Sequence, residues 1–202
     1  MTLLDDTLAA IRPASADALA AAEARQLTLT KPAGSLGRLE EIGNRLAAIA
    51  DACPPPLPGR AVIGLFAGDH GVCAQGISPW PQEVTIQMAL NIASGGAAIN
   101  AIARQVGADV WVTDVGVGAD VPEHPGIRAR KVRPGTRDLS VEPALTRDEA
   151  RAAVEVGIEA ANEAIDAGAD ILLTGEMGIG NTTPASALIA AFSRLHVTSV
   201  TG

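Results

Sequence analysis

Three short apolar runs, each of strand length and each closing on a glycine and an acid, constrain this chain more than any other feature. Ala61 to Ala67 runs into Gly68-Asp69-His70-Gly71, Asp109 to Thr113 into Asp114-Val115-Gly116, and Ile171 to Thr174 into Gly175-Glu176. A run that is apolar without alternation suits a strand covered on both faces. Helical stretches separate the runs. One covers Gln82 to Val106 with a break at Ser94-Gly95-Gly96, and one covers Arg147 to Asp166, capped by Thr146 and ended by Gly168. Strand and helix in turn predict an α/β fold, a doubly wound parallel sheet of Rossmann-like type. In such a sheet the three glycine–acid ends share one rim, where open α/β sheets place their ligands.

The residues before the first run differ in kind. An Ala/Leu-rich pattern over residues 2–29, broken at Pro13, predicts two short helices. Ser35 is placed to cap a third, whose Leu36, Leu39, Ile42, Leu46 and Ile49 make one apolar face. Pro54-Pro55-Pro56-Leu57-Pro58-Gly59 is a stiff linker. Residues 1–53 are therefore expected to contribute a small helical domain, and residues 60–202 a parallel α/β domain. The last β-branched run, His196 to Gly202, leaves the predicted sheet thin, so the α/β domain is expected to lack a C-terminal part.

With 15 basic against 23 acidic residues the formal charge is -8, which argues against a nucleic-acid or anionic-membrane partner. Aromatic residues are 2% of the chain and Tyr is absent, so the core must come from Ala, Val, Ile and Leu. Cys53 and Cys73 lack disulfide or metal-ligand spacing. The acidic start, Met1 to Asp6, has no signal-peptide pattern and no apolar run is expected to span a membrane, so a cytoplasmic protein is expected.

Chemistry concentrates in Thr174-Gly175-Glu176-Met177-Gly178-Ile179-Gly180-Asn181-Thr182-Thr183-Pro184. Thr183 suits an N-cap and Pro184 a first helical position. A glycine turn that empties into a helix N-terminus offers free N–H groups and the positive dipole end to an anion, with Glu176 beside it. The same residues also read as a tight αβ connection with no ligand. Asp69 and Asp114 are explained singly as turn formers, whereas Asp69, His70 and Asp114 together suggest a metal-dependent hydrolase. No second histidine stands at ligand spacing, so a structural His70 is favoured and no metal is expected. Ser78 lies outside any nucleophile-elbow context, and Trp80 offers an apolar wall or packs on its own domain. Gln87 and Asn91, four residues apart on the next helix, hydrogen-bond a ligand or face water. Lys31 to Arg38 is a solvated helix lead-in or an arm toward an anionic site.

Taken in order, Lys31-Pro-Ala-Gly-Ser-Leu-Gly-Arg-Leu-Glu40, Phe66-Ala-Gly-Asp-His-Gly-Val72, Glu83-Val-Thr85 with Gln87-Met88, Gly95-Gly-Ala-Ala-Ile-Asn100, Asp114-Val-Gly116 and Thr174 to Thr183 resemble one family. That family is nicotinate-nucleotide:dimethylbenzimidazole phosphoribosyltransferase, of cobamide lower-ligand synthesis. The resemblance implies an α/β domain, a small helical domain built from both chain ends, and a homodimer when full length. It also implies transfer of 5-phosphoribosyl from nicotinate mononucleotide to 5,6-dimethylbenzimidazole or a related azole, with no cofactor. By match to its motifs, Gly178, Ile179, Gly180, Asn181 and Thr182 would hold the phosphate through backbone N–H groups. Glu176 would be the carboxylate beside the ribose, and Ser78, Gln87 and Trp80 would lie by the base. The family's general-base carboxylate and a phosphate-contacting lysine lie in its C-terminal part, so this chain is expected to be an N-terminal part with little turnover. The alternative expectation is a module that binds a nucleotide phosphate without turnover.

Overall fold

The computed structural model describes residues 2–201 and divides into two compact units, Met1–Pro58 and Gly59–Gly202. Met1 and Gly202, the ends of the predicted terminal segments, lie outside the described residues. The first unit holds α1 (Leu3–Ala10), α2 (Ala16–Gln26) and α3 (Arg38–Ala50). Thr2 and Asp5 form a capping box for α1, and the Ser15 side chain accepts from Ala18 N–H at the start of α2. Ser35 does not cap α3. That place is taken by Gly37 at φ 55°, with no side-chain cap, so Leu36 falls outside the helix. Glu40 explains the displacement: its Oε1 accepts from Lys31 Nζ at 2.6 Å and from Leu36 N–H at 3.2 Å. The carboxylate folds residues 31–36 back on the first turn of α3, and the Lys31 charge is engaged there. Helices α2 and α3 bury only alanines, Ala18 and Ala22 on one and Ala47 and Ala48 on the other. The predicted apolar face of α3 exists, yet Leu39 and Ile49 on it are 66% and 73% exposed.

The second unit runs β1 (Ala61–Gly68), a 3-10 turn at Gly71–Gln75, α4 (Glu83–Ala93), α5 (Ala98–Val106), β2 (Ala108–Gly116), β3 (Ile127–Ala129), α6 (Arg147–Asp166), β4 (Ile171–Met177), α7 (Thr182–Ser193) and a 3-10 turn at Val197–Ser199. The strands form one sheet in the order β3-β2-β1-β4, parallel throughout. Alternation along β1 feeds two cores. Leu65 and Ala67 pack with Val112, Val117, Ala89 and Ile92 on the α4 side, while Val62 packs with Ala164 and Ala169 on the α6 side. Full burial of a valine such as Val62 or Val112 contributes about 1.5–3 kcal/mol. Helices on both faces leave no water for the strand interior, which is why β1 needs an unbroken apolar run.

Three elements depart from expectation. Strand β3 lies inside a segment that reads as loop, because it has three residues and no apolar run. What holds it is Arg128, whose guanidinium lies 3.7 Å from the Trp111 ring centroid and pairs with Glu163 on α6 at 3.4 Å. Residues 83–106 do reach membrane-span length, with a mean hydropathy of 1.2 over an 18-residue window, contrary to the expectation that no run would. They fold as two helices, with Thr85, Ala89 and Ile92 of α4 and Ala103 of α5 buried. The β-branched stretch after α7 forms a 3-10 turn, not a strand.

Candidate functional site

Parallel pairing levels the strand ends. Gly68 faces Gly116 across β1–β2, and Ala67 faces Met177 across β1–β4. The three glycine–acid ends therefore meet on one rim, and each acid there is differently committed. Asp114 Oδ1 accepts from the N–H groups of Gly116 and Val117 at 3.1 and 2.8 Å, and its Oδ2 lies 3.5 Å from Lys131 Nζ. It is a turn former. Asp69 is buried, with Oδ2 accepting from Gly118 N–H at 2.7 Å and Oδ1 without a partner among the described residues. Glu176 is the exposed acid of the three, and Asn181 Nδ2 donates to its Oε1. Among the described residues no three His, Cys, Asp or Glu side chains gather as metal ligands, and Asp114 is already occupied by amides.

After Met177 the chain makes a tight turn into α7. The helix starts at Thr182 with Asn181 as its N-cap, two residues earlier than the expected cap at Thr183. Asn181 caps with no side-chain bond of its own because its amide reaches back to Glu176. Pro184 consequently sits at the third helical position, still within the first turn, where a missing N–H removes no helical bond. Among the five residues expected to hold a phosphate, two amides are engaged. Ile179 N–H donates to Thr85 Oγ1 at 3.1 Å and Asn181 N–H to Gly178 O at 3.1 Å. The amides of Gly178, Gly180 and Thr182 have no protein acceptor among the described residues. Three free N–H groups at a helix N-terminus, beside one carboxylate, suit a doubly charged oxyanion attached to a polar body.

The turn is built close against its support. A Cβ on Gly178 would meet Gly68 O and lie 2.8 Å from His70 Nε2, and one on Gly180, at φ +79°, would lie 2.5 Å from Cys73 Sγ. Glycine is required at both positions. Cys73 Sγ–H donates to Ile179 O at 3.0 Å. Gln82 Nε2 donates to His70 O at 2.9 Å, which ties the start of α4 to the same turn. Burial pushes the His70 imidazole below its usual pKa, against the pull of the Glu176 and Asp69 charges. Burial also raises the Cys73 thiol, and Asp69 adds to that shift. Near neutral pH both groups are uncharged, so neither adds positive charge to the amides of the turn.

Of the residues expected by a base, Ser78 Oγ accepts from Trp80 N–H at 3.1 Å, and Trp80 is 65% exposed. Ile77 of the same loop lies against the glycine turn: a Cβ on Gly180 would be 3.1 Å from Ile77 Cδ1. Gln87 is exposed on α4. Asn91 stands one turn further toward the C-terminal end of α4, beside Gly96. A cavity of about 720 Å³ lies by the β2–β3 connection and is lined by Asp114, His124 and Ile127, with none of the cradle residues. His124 is held there by Gly126 N–H, which donates to its Nδ1 at 3.0 Å.

Sequence reasoning gave no role to Thr85 or Cys73. Thr85 had a legible signal. It shares the buried stripe of α4 with Ala89 and Ile92, and a hydroxyl on such a stripe needs a partner. Cys73 carries no signal of that kind, since a small buried thiol is chemically ordinary.

A family model described as phosphoribosyltransferase matches residues 11–202. The chain is 57% identical over 214 residues to nicotinate-nucleotide–dimethylbenzimidazole phosphoribosyltransferase of Salinispora tropica, covering 99% of this chain and 59% of that protein. It is 56% identical over 202 residues to the protein of the same name in Chloroflexus aggregans, covering 100% of this chain and 57% of that one. Among solved structures, CobT from Thermus thermophilus superposes with a TM-score of 0.89 at 50% identity, over 92% of this chain and 56% of that chain. The chain thus spans a little over half the length of the relatives it matches.

Proposed function

The chain belongs to the phosphoribosyltransferase family, and from that premise we propose that the protein moves the 5-phosphoribosyl group of nicotinate mononucleotide to a ring nitrogen of 5,6-dimethylbenzimidazole. The products are α-ribazole 5'-phosphate and nicotinate, with inversion at the anomeric carbon. One observation carries the reading. The amides of Gly178, Gly180 and Thr182 have no acceptor among the described residues and the Glu176 carboxylate belongs to the same short turn, which offers groups complementary to a phosphate and a ribose. The bond from the anomeric carbon to the pyridinium nitrogen breaks as the bond to the azole nitrogen forms. Nicotinate leaves with its ring nitrogen neutral, and the azole N–H proton must pass to a carboxylate. Between those events the sugar carries oxocarbenium character, which the negative charge of Glu176 stabilises. Asn181 holds that carboxylate in place, and Ser78, Trp80 and Gln87 supply the edge against which the azole lies.

Turnover in the full-length protein tests this. Nicotinate should be released from nicotinate mononucleotide only when 5,6-dimethylbenzimidazole is added, and release that ignores the azole would overturn the assignment. The amides of the glycine turn and their supports at Thr85 and Cys73 belong to this chain, which favours a second reading for the 202 residues alone: binding of the nucleotide phosphate without turnover. A homodimer and a cytoplasmic location belong to the same proposal, and sedimentation of the full-length protein checks the first.

A further inference from the structure

Resting on the reading of Gly178–Thr182 as a phosphate cradle, we propose that Thr85 and Cys73 are positioning residues that set the cradle's shape by gripping the Ile179 residue at both its polar ends. Thr85 Oγ1 accepts from Ile179 N–H at 3.1 Å and Cys73 Sγ–H donates to Ile179 O at 3.0 Å. With both bonds made, the peptide planes on either side of the Ile179 α-carbon are fixed, because peptide planes are rigid and the chain turns only at the α-carbons; the plane that holds Ile179 C=O also holds Gly180 N–H. The Gly180 amide, which has no protein acceptor among the described residues, is therefore aimed by the grip, and the Gly178 carbonyl is held in the other fixed plane. Thr85 is fully buried on α4, so its hydroxyl has no solvent to turn to. It is anchored by the core stripe of Ala89 and Ile92, and Cys73 by the 3-10 turn after β1. The grip thus comes from two elements other than the strand and helix the turn connects. Rigid donors aimed in advance bind an oxyanion without the cost of ordering them on arrival.

The test compares the affinity of the chain for nicotinate mononucleotide and for nicotinate riboside, which lacks the phosphate, by titration calorimetry. Thr85→Val keeps the shape and removes the acceptor, Thr85→Ser keeps the acceptor, and Cys73→Ala removes the second contact. A positioning role predicts that Thr85→Val weakens the nucleotide about tenfold, and Cys73→Ala about threefold, while the riboside is unaffected. Thr85→Ser should bind the nucleotide within about twofold of the parent. Equal losses for nucleotide and riboside would mean a general packing defect and would overturn the inference. So would unchanged nucleotide binding in both Thr85→Val and Cys73→Ala. Should the valine variant fail to fold, Cys73→Ala with Thr85→Ser decides by the same comparison. If the parent chain binds both ligands equally, or neither at millimolar concentration, the phosphate reading itself falls, a result distinct from failure of the grip.

Discussion

The Glu176 carboxylate lies near enough to His70 for its charge to act on the imidazole. The Glu176 charge raises the His70 pKa, whereas burial lowers it by more. Replacing Glu176 by Gln should therefore lower the His70 pKa further, and the imidazole proton shifts followed by NMR from pH 7 downward check this. An unchanged titration would separate the two groups. The linked effect on stability has a definite sign. His70 folded binds its proton less readily than His70 unfolded, so its contribution is complete above about pH 6.5 and is lost as pH falls below that value. In the full-length protein, Glu176→Gln should cut kcat by about 10- to 100-fold, with little change in the KM for nicotinate mononucleotide, since a charge that matters at the oxocarbenium stage acts on the transition state. A rise in KM at constant kcat would place Glu176 in ground-state binding instead. Gly178→Ala should abolish nucleotide binding, because the new methyl group meets the Gly68 carbonyl and that carbonyl cannot move out of the sheet.

At the scale of the element, α6 shows how charge organises what apolar pattern does not. Its start is closed by a capping box in which Thr146 and Glu149 satisfy one another's backbone amides. The Glu149 carboxylate also takes Arg137 through two bonds of 2.8 and 3.0 Å. The Arg137 guanidinium, with the Thr146 amide, holds Glu149 down to about 2. Its folded pKa is depressed, so the stability it contributes is present above about pH 4.5 and is lost as pH falls toward 2. Acid unfolding of Glu149→Gln should accordingly be flatter across that window than acid unfolding of the parent. Thr146→Ala should destabilise the unit by about 1 kcal/mol in urea unfolding. This element was legible in the sequence, cap and end alike, as were β1, β2, β4 and the break between α4 and α5. Strand β3 was not, because Arg128 reaches its partners Trp111 and Glu163 only once β2 and α6 are assembled. For the site, the glycine turn and Glu176 could be read from local spacing. Thr85 and Cys73 could not be tied to Ile179, which is 94 and 106 residues away along the chain. The start of α3 was misread because the Glu40 carboxylate, not Ser35, governs the turn before it.

For the whole molecule, the sheet is finished on one side and open on the other. Strand β3 ends it with three residues, while β4 presents seven along an edge where Ile171, Leu172 and Leu173 stay about 40% exposed and α7 buries no residue fully. An unpaired apolar edge is a template for another strand, and the relatives are longer than this chain. The amides along the outer edge of β4 should exchange with solvent quickly in the 202-residue chain and slowly in the full-length protein, as hydrogen-exchange mass spectrometry would report. Equal rates would show that nothing adds to that edge. The strand order β3-β2-β1-β4 also sets a timetable. β1 leaves the ribosome first and waits at the centre; β2 and β3 extend the sheet to one side before β4 emerges to extend it on the other. The glycine turn follows β4, so its supports at Cys73 and Thr85 are made about a hundred residues before it. During synthesis the mould is present before the loop that is shaped in it.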